Sequence, residues 1–250
     1  MKAALITGAA KRIGRAMALA LARDGWNVAV HCHESIGEAA ELVDEMRRLG
    51  RKAVAIEGDL AGRETPKKLI KKAKGTLGPL TLLINNASRF EPDELATVTM
   101  RDWDKDQAIN LRAPVFLSQA FAAQLPVKQQ GNIINLIDQR VWKLNPQYFS
   151  YTASKGGLWV VTQTMAQALA PRIRVNAIAP GPALPNVRMR DREFEKLQRL
   201  TLLKRGTSPE EIAAAVRFIL ASPAMTGQMI ALDGGQHLAW QTPDVVKVRE

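Results

Sequence analysis

A chain of 250 residues with 46% hydrophobic and 24% charged side chains has the composition of a water-soluble globular protein large enough to bury a substantial core. Its one cysteine, Cys32, excludes an internal disulfide and points to a reducing compartment, the cytoplasm. The net charge of +11 raises nucleic acid, anionic membranes and phosphorylated ligands as partners, but no apolar run nears the roughly 18 residues of a membrane span.

The first apolar run, Ala3–Thr7, is too short for a signal-peptide core and meets a glycine turn before a helical stretch, Ile13–Ala22. Val28–His31 precedes a helix in which Ala39, Leu42, Met46 and Leu49 share one face. Ala53–Glu57 leads to a lysine-rich helix, with Thr65 expected as its N-cap and Pro66 at its first position. There Lys67, Lys68, Lys71, Lys72 and Lys74 lie apart from Leu69, Ile70, Ala73 and Leu77. No aromatic residue interleaves the lysines, so the cluster reads as a solvated helix face and not a nucleic-acid site. Leu80–Ile84 ends at Asn85-Asn86, and one long helix is expected from Trp103 to Gln124. Asn132–Leu136 is followed by a helix starting near Tyr148, and Ile173–Ile178 ends at Pro180-Gly181. Ser208-Pro209-Glu210-Glu211 has the form of a capping box, and Met229–Leu232 ends at Asp233-Gly234-Gly235.

Short unbroken apolar runs between amphipathic helices indicate strands buried on both faces. The expected architecture is a single α/β domain over residues 1–250, a doubly wound parallel sheet of about seven strands with helices on both faces. The charged stretch from Gly181 to about Leu203 is expected to form a lid at the strand ends.

Thr7-Gly8-Ala9-Ala10-Lys11-Arg12-Ile13-Gly14 joins the first strand to the first helix. A helix N-terminus offers free N–H groups and a positive dipole end to an anion. Small residues at Gly8, Ala9 and Ala10 admit a pyrophosphate to the backbone, and Gly14 lets the helix pack closely on the sheet. The spacing Thr-Gly-x-x-x-x-x-Gly resembles the short-chain dehydrogenase/reductase form of the dinucleotide fingerprint, with Arg12 in place of the middle glycine. Thr-Gly-Ala-Ala-Lys-Arg resembles the pteridine reductase branch of that family. The resemblance continues along most of the chain. Asp59-Leu60 matches the family's adenine-contacting pair. Asn85-Asn86-Ala87 matches its Asn-Asn-Ala-Gly turn, with Ser88 replacing glycine. Asn110 falls where the family has a helix asparagine tied to the proton relay, Tyr151 and Lys155 form Tyr-x-x-x-Lys, and Pro180-Gly181 follows the sixth strand. The resemblance implies a Rossmann-type, nicotinamide-dependent oxidoreductase with Gly8, Ile13, Gly14, Asn86, Ala87, Pro180 and Gly181 around the cofactor. It also implies a homotetramer built partly through the helices of Asn110 and Tyr151.

Tyr151 and Lys155 stand one helical turn apart on one face. A free phenol, with a pKa near 10, is a poor proton shuttle at neutral pH, and a neighbouring ammonium is expected to lower that value. The resemblance implies that Lys155 also binds the nicotinamide ribose. Thirteen residues before the tyrosine the family normally has serine, but here stands Asp138. A carboxyl group there accepts from a substrate N–H or helps deliver a proton; the alternative is a catalytically dead site. Pteridine and dihydromonapterin reductases also carry aspartate at this place. Asn86-Ala87-Ser88-Arg89-Phe90-Glu91-Pro92 resembles their segment whose phenylalanine stacks on the pterin, which makes Ser88, Phe90 and Asp138 the candidate substrate residues. The other reading of Phe90 is a core side chain.

The second strand runs into His31-Cys32-His33-Glu34-Ser35 and ends without the acidic residue that selects the unphosphorylated cofactor. Arg12, His33 and Ser35 are therefore the expected 2′-phosphate contacts, favouring NADPH over NADH; Glu34, where pteridine reductases carry arginine, opposes that choice. His31 and His33 lack a third ligand, so no metal site is expected. The leading expectation is NADPH-dependent reduction of a pterin-like small molecule. A carbonyl reductase such as a 3-oxoacyl thioester reductase and a silent NADP-binding sensor are the alternatives, and neither nucleic acid nor membrane is expected as a partner.

Overall fold

The computed structural model describes residues 2–186, 188–242, 245 and 246. Its strands are β1 (Ala3–Ile6), β2 (Asn27–Cys32), β3 (Ala53–Glu57), β4 (Leu82–Asn85), β5 (Gly131–Leu136), β6 (Ile173–Pro180) and β7 (Met229–Leu232). They form one seven-stranded sheet in the order β3-β2-β1-β4-β5-β6-β7, with every pairing parallel. The helices are α1 (Arg12–Arg23), α2 (Ile36–Arg48), α3 (Thr65–Leu77), α4 (Met100–Asp106), α5 (Ala113–Gln124), α6 (Phe149–Leu169), α7 (Asp191–Arg199) and α8 (Pro209–Ala221).

Successive side chains of a strand point to opposite faces, and β1 feeds two cores in this way. Ala4 and Ile6 pack with Met17 and Leu21 of α1, Leu42 and Met46 of α2, and Ile212 and Val216 of α8. Ala3 and Leu5 pack with Leu69 and Ile70 of α3 and Leu117 and Phe121 of α5. The doubly wound expectation therefore holds. The strand order reverses direction between β1 and β4, and that switch point opens a crevice beyond the strands' C-terminal ends. Register aligns Ile6 with Ile84, so the Gly8 turn and the Asn86 turn meet there.

Four details differ from the sequence expectation. Thr65 is the first residue of α3 and Glu64 occupies the cap position, without a capping side-chain bond. The stretch Trp103–Gln124 is not one regular helix: a π-helical run, Gln107–Arg112, separates α4 from α5. Pro114 explains the break, because it has no N–H to return to the carbonyl of Asn110 four residues back. Such wide turns favour functional positions. The residues of β7 are only half-buried; it is an edge strand, paired with β6 alone. The charged stretch after Gly181 is partly helical, since it contains α7; Val187 within it lies outside the described residues. The capping box of α8 forms as expected, with Ser208 Oγ accepting from the Glu211 N–H at 3.2 Å and the Ser208 N–H donating to Glu211 Oε2 at 3.0 Å. Among the described residues no helix is long and apolar enough to cross a membrane.

Candidate active site

At the β1 end of the crevice the backbone is held by neutral hydrogen bonds. Thr7 Oγ1 accepts from the N–H groups of Asn86 at 2.9 Å and Ala87 at 3.0 Å. The Asn86 amide donates back to Thr7 O at 2.8 Å and Gly8 O at 3.0 Å. His31 braces the turn from the other side: its Nδ1 accepts from the Gly8 N–H at 3.2 Å, while its Nε2 lies 2.9 Å from Gly58 O. Burial pushes the His31 pKa down, which keeps the ring neutral and able to accept at one nitrogen while donating at the other. Neither ring nitrogen is left for a metal, and among the described residues no cluster of His, Cys, Asp and Glu could hold one.

Two glycines of the turn are sterically required. Gly8 has φ +60°, and a Cβ on it would lie 3.0 Å from Ala87 Cα. A Cβ on Gly14 would fall 2.2 Å from Gly8 O. The Lys11 side chain does not cap α1, so the leading N–H groups and the positive dipole end remain for an anion. A dinucleotide pyrophosphate fits this cradle.

The expected 2′-phosphate contacts lie apart. Arg12 has φ +54° and its guanidinium turns away from β2, donating to Pro185 O at 2.8 Å and Leu184 O at 3.4 Å. Lys11 is the residue that points to the start of α2, 2.5 Å from Glu38 Oε1. Ser35 occupies the cap position of α2 with no capping side-chain bond. His33 is exposed, 3.9 Å from the Glu34 carboxylate. Beyond β3, Asp59 Oδ1 accepts the Ala61 N–H at 2.8 Å, and Leu60 is buried.

At the other end, β5 and α6 bring Asp138, Tyr151 and Lys155 to one cavity of about 340 Å³, also lined by Arg12, Ile13, Asn86, Ser88, Phe90, Pro180 and Gly181. The Tyr151 hydroxyl donates to Asp138 Oδ2 at 2.9 Å, and Asp138 Oδ1 accepts the Arg140 N–H at 2.8 Å. Lys155 Nζ donates to Leu136 O at 2.7 Å. The sequence expectation that Lys155 lowers the tyrosine pKa is overturned. Burial and the adjacent Asp138 hold the Tyr151 pKa well above its usual value, because forming a phenolate beside a carboxylate is opposed in a dry site. Burial likewise raises the Asp138 pKa, against the bonds from Arg140 and Tyr151. Lys155 is pushed down to about 8 by burial, with Asp138 and Asp106 opposing. Both groups therefore hold their protons more tightly than usual: the phenol stays protonated, beside a carboxyl group that takes up a proton more readily than a free one.

Phe90 is a cavity wall and not a core side chain. It stacks on Tyr148, with ring centroids 4.1 Å apart and planes within 3°, and meets Tyr151 edge-on at 4.7 Å. The guanidinium of Arg140 lies 4.8 Å from the Tyr148 ring centroid. Asn110, fully buried in the π-helical run, does not line this cavity. It clamps the Phe90 turn, accepting the Arg89 N–H at 2.8 Å and donating to Arg89 O at 3.0 Å and Ser154 Oγ at 3.0 Å. Sequence reasoning missed Lys11, His31 as a brace, Tyr148 and Arg140. A lysine beside the phosphate turn was a usable signal for the first; nothing local marks the others.

The family model for short chain dehydrogenase matches residues 2–196. A 3-oxoacyl-acyl-carrier-protein reductase of Staphylococcus epidermidis is 34% identical over 243 residues, which is 95% of this chain and 99% of the relative. Among solved structures, FolM alternative dihydrofolate reductase 1 of Brucella suis, in complex with NADP, is 47% identical with a TM-score of 0.95, covering 97% of this chain and 98% of that one. A blue fluorescent protein from a metagenomic library, in complex with NADPH, is 32% identical with a TM-score of 0.88, covering 94% and 98%. Two motif-bearing crevice ends, a matching family model and relatives aligned along nearly their whole length agree: this chain belongs to the short-chain dehydrogenase family.

Proposed function

We propose that the protein is an NADPH-dependent reductase of a pterin-like heterocycle, acting on a C=N bond. The observation that carries this reading is the Tyr151–Asp138 hydrogen bond at 2.9 Å beside the aromatic wall of Phe90. A pterin edge presents N–H groups and an amine, which an ionised carboxyl group can accept; a simple ketone offers only an acceptor, which an ionised Asp138 would face without a partner. When bound, the nicotinamide supplies the hydride. Tyr151 and Asp138 supply the proton to the ring nitrogen, directly or through water, and Lys155, while cationic, holds the ribose and favours proton release toward the substrate. The relatedness to FolM alternative dihydrofolate reductase 1 at 47% identity supports the same reading.

Gly8, Ile13, Gly14, Asn86, Ala87, Pro180 and Gly181 would hold the cofactor, with Asp59 and Leu60 at the adenine. Lys11, with Ser35 and His33, takes the 2′-phosphate in place of Arg12, because Lys11 alone of the two cations points to α2. Residues 1–250 act as one cofactor-binding domain. The assembly is a homotetramer: Phe116 of α5, Val160 of α6 and Phe218 of α8 are exposed apolar side chains, and a second copy would cover them. A cytoplasmic location suits the single cysteine.

A carbonyl reductase is the second reading, favoured by the 34% identity to a 3-oxoacyl-acyl-carrier-protein reductase. Asp138→Ser separates the two. Steady-state turnover on dihydropterins and on a panel of ketones and acyl thioesters is expected to show wild-type preference for the pterins, and a loss of about tenfold or more in the variant. A wild type that prefers ketones, or a variant with intact pterin turnover, transfers the assignment to carbonyl reduction.

A further inference from the structure

The turn carrying Phe90 is tied to the catalytic helix by an ionic cluster outside the reacting groups. Arg89 forks across two carboxylates, with Nη2 2.7 Å from Asp102 Oδ1 and Nη1 2.7 Å from Asp106 Oδ1. Both acids belong to α4 and stand about one helical turn apart, so the fork clamps the turn onto that helix. Asp106 is fully buried and also accepts from Ser150 Oγ at 2.7 Å. Ser150 is the residue before Tyr151. Asp93, from the same turn segment, accepts the Ser150 N–H at 3.2 Å and lies against the same hydroxyl. Phe90 and Tyr151 are thus each the chain neighbour of a residue held by Asp106.

Replacing a buried ion pair by apolar side chains is often neutral or stabilising, so such a cluster is weak evidence of a stability role. What it does supply is register, since a planar guanidinium presents its donors in a fixed fork and a lysine ammonium, with rotatable donors, does not. We propose that Arg89 is a positioning residue for substrate selection: through Asp102 and Asp106 it fixes Phe90 against the catalytic helix, so that a flat ring stacked on Phe90 meets Tyr151 and Asp138 in register. This inference rests on the pterin reading, and the experiment separates the two.

The test compares wild type, Arg89→Lys, Phe90→Leu and the double variant, reading KM for a dihydropterin, kcat, and KM for NADPH. Arg89→Lys is expected to raise the dihydropterin KM about two- to tenfold, the size of a stacking contact. The expected kcat and NADPH KM stay within about twofold, the pattern of lost substrate positioning. In the Phe90→Leu background the lysine substitution is expected to add nothing, because both changes act through one contact. Asp102→Asn removes only the outer arm of the fork and is expected to give the same split if Arg89→Lys does not fold. An unchanged dihydropterin KM, a matching rise in NADPH KM, or additive losses in the double variant overturn the proposal. A wild type that turns over no dihydropterin overturns the pterin reading and this inference with it, before any variant is made.

Discussion

At the phosphate turn the contacts are backbone groups and neutral side chains, Thr7, His31 and Asn86, none of which changes charge near neutral pH. At the other end they join ionisable groups: Tyr151 to Asp138 in the cavity that Lys155 lines, and Arg89 to Asp106 behind it. The first end is a rigid cradle whose limits are steric; a Cβ at Gly14 has no room. The second is a set of coupled charges, where each substitution alters the protonation of its neighbours. Changes at the cradle should therefore be read in affinity, and changes at the reacting end in turnover and pH dependence.

The largest expected effect falls on the reacting end. Tyr151→Phe removes the phenolic proton and should lower turnover roughly 10²–10⁴-fold, with NADPH affinity within about threefold of wild type. Single-turnover kinetics alongside a fluorescence titration of NADPH measures both. Near-normal turnover would mean that another group supplies the proton.

The next effect sharpens the cradle side. Lys11→Ala should weaken NADPH by about ten- to a hundredfold through loss of a charge-assisted contact, and leave NADH unchanged. Arg12→Ala should affect NADPH and NADH alike, since its guanidinium faces Leu184 and Pro185 and not the end of β2. Titration of both nucleotides against both variants decides the matter, and a loss confined to NADPH in Arg12→Ala would return the 2′-phosphate to Arg12.

The smallest effect tests whether the two ends really differ in pH response. Lys155 in the free protein has a pKa lowered to about 8. It is cationic below that value and neutral above it, so activity that needs the cation is lost as pH rises. We expect kcat/KM to fall about tenfold by one pH unit above the Lys155 pKa. The Tyr151 pKa is held well above its usual value and adds no limb at neutral pH. The neutral hydrogen bonds of Thr7 and Asn86 that hold the cradle should give NADPH affinity no such dependence. A profile that stays flat well above the Lys155 pKa would place the lysine's charge beyond the influence of its burial.

Much of this was readable along the chain. Apolar runs of strand length, the glycines of the phosphate turn, the capping box at Ser208 and the one-turn spacing of Tyr151 and Lys155 are local patterns, and local backbone preference decides them. Asp138 stood out only against the resemblance, which has serine at that place, and the proposed substrate choice rests on it. Local pattern failed where Pro114, the second residue of α5, opened a π-helical run at Asn110, and at β7, whose exposure depends on having a sheet neighbour on one side only.

The sequence by itself determined the alternation of strands and helices, the place of the dinucleotide turn and the one-turn spacing of Tyr151 and Lys155, because each is encoded within a few residues of chain. Only the tertiary structure decided where Arg12 points, since its partners lie more than 170 residues away. Burial against Asp138 decided the direction of the Tyr151 pKa. The clamp joining Arg89, Asp106 and Ser150 spans three elements. Electrostatics and hydrogen bonding act through space with strengths set by burial and distance, and neither quantity is written in residue order.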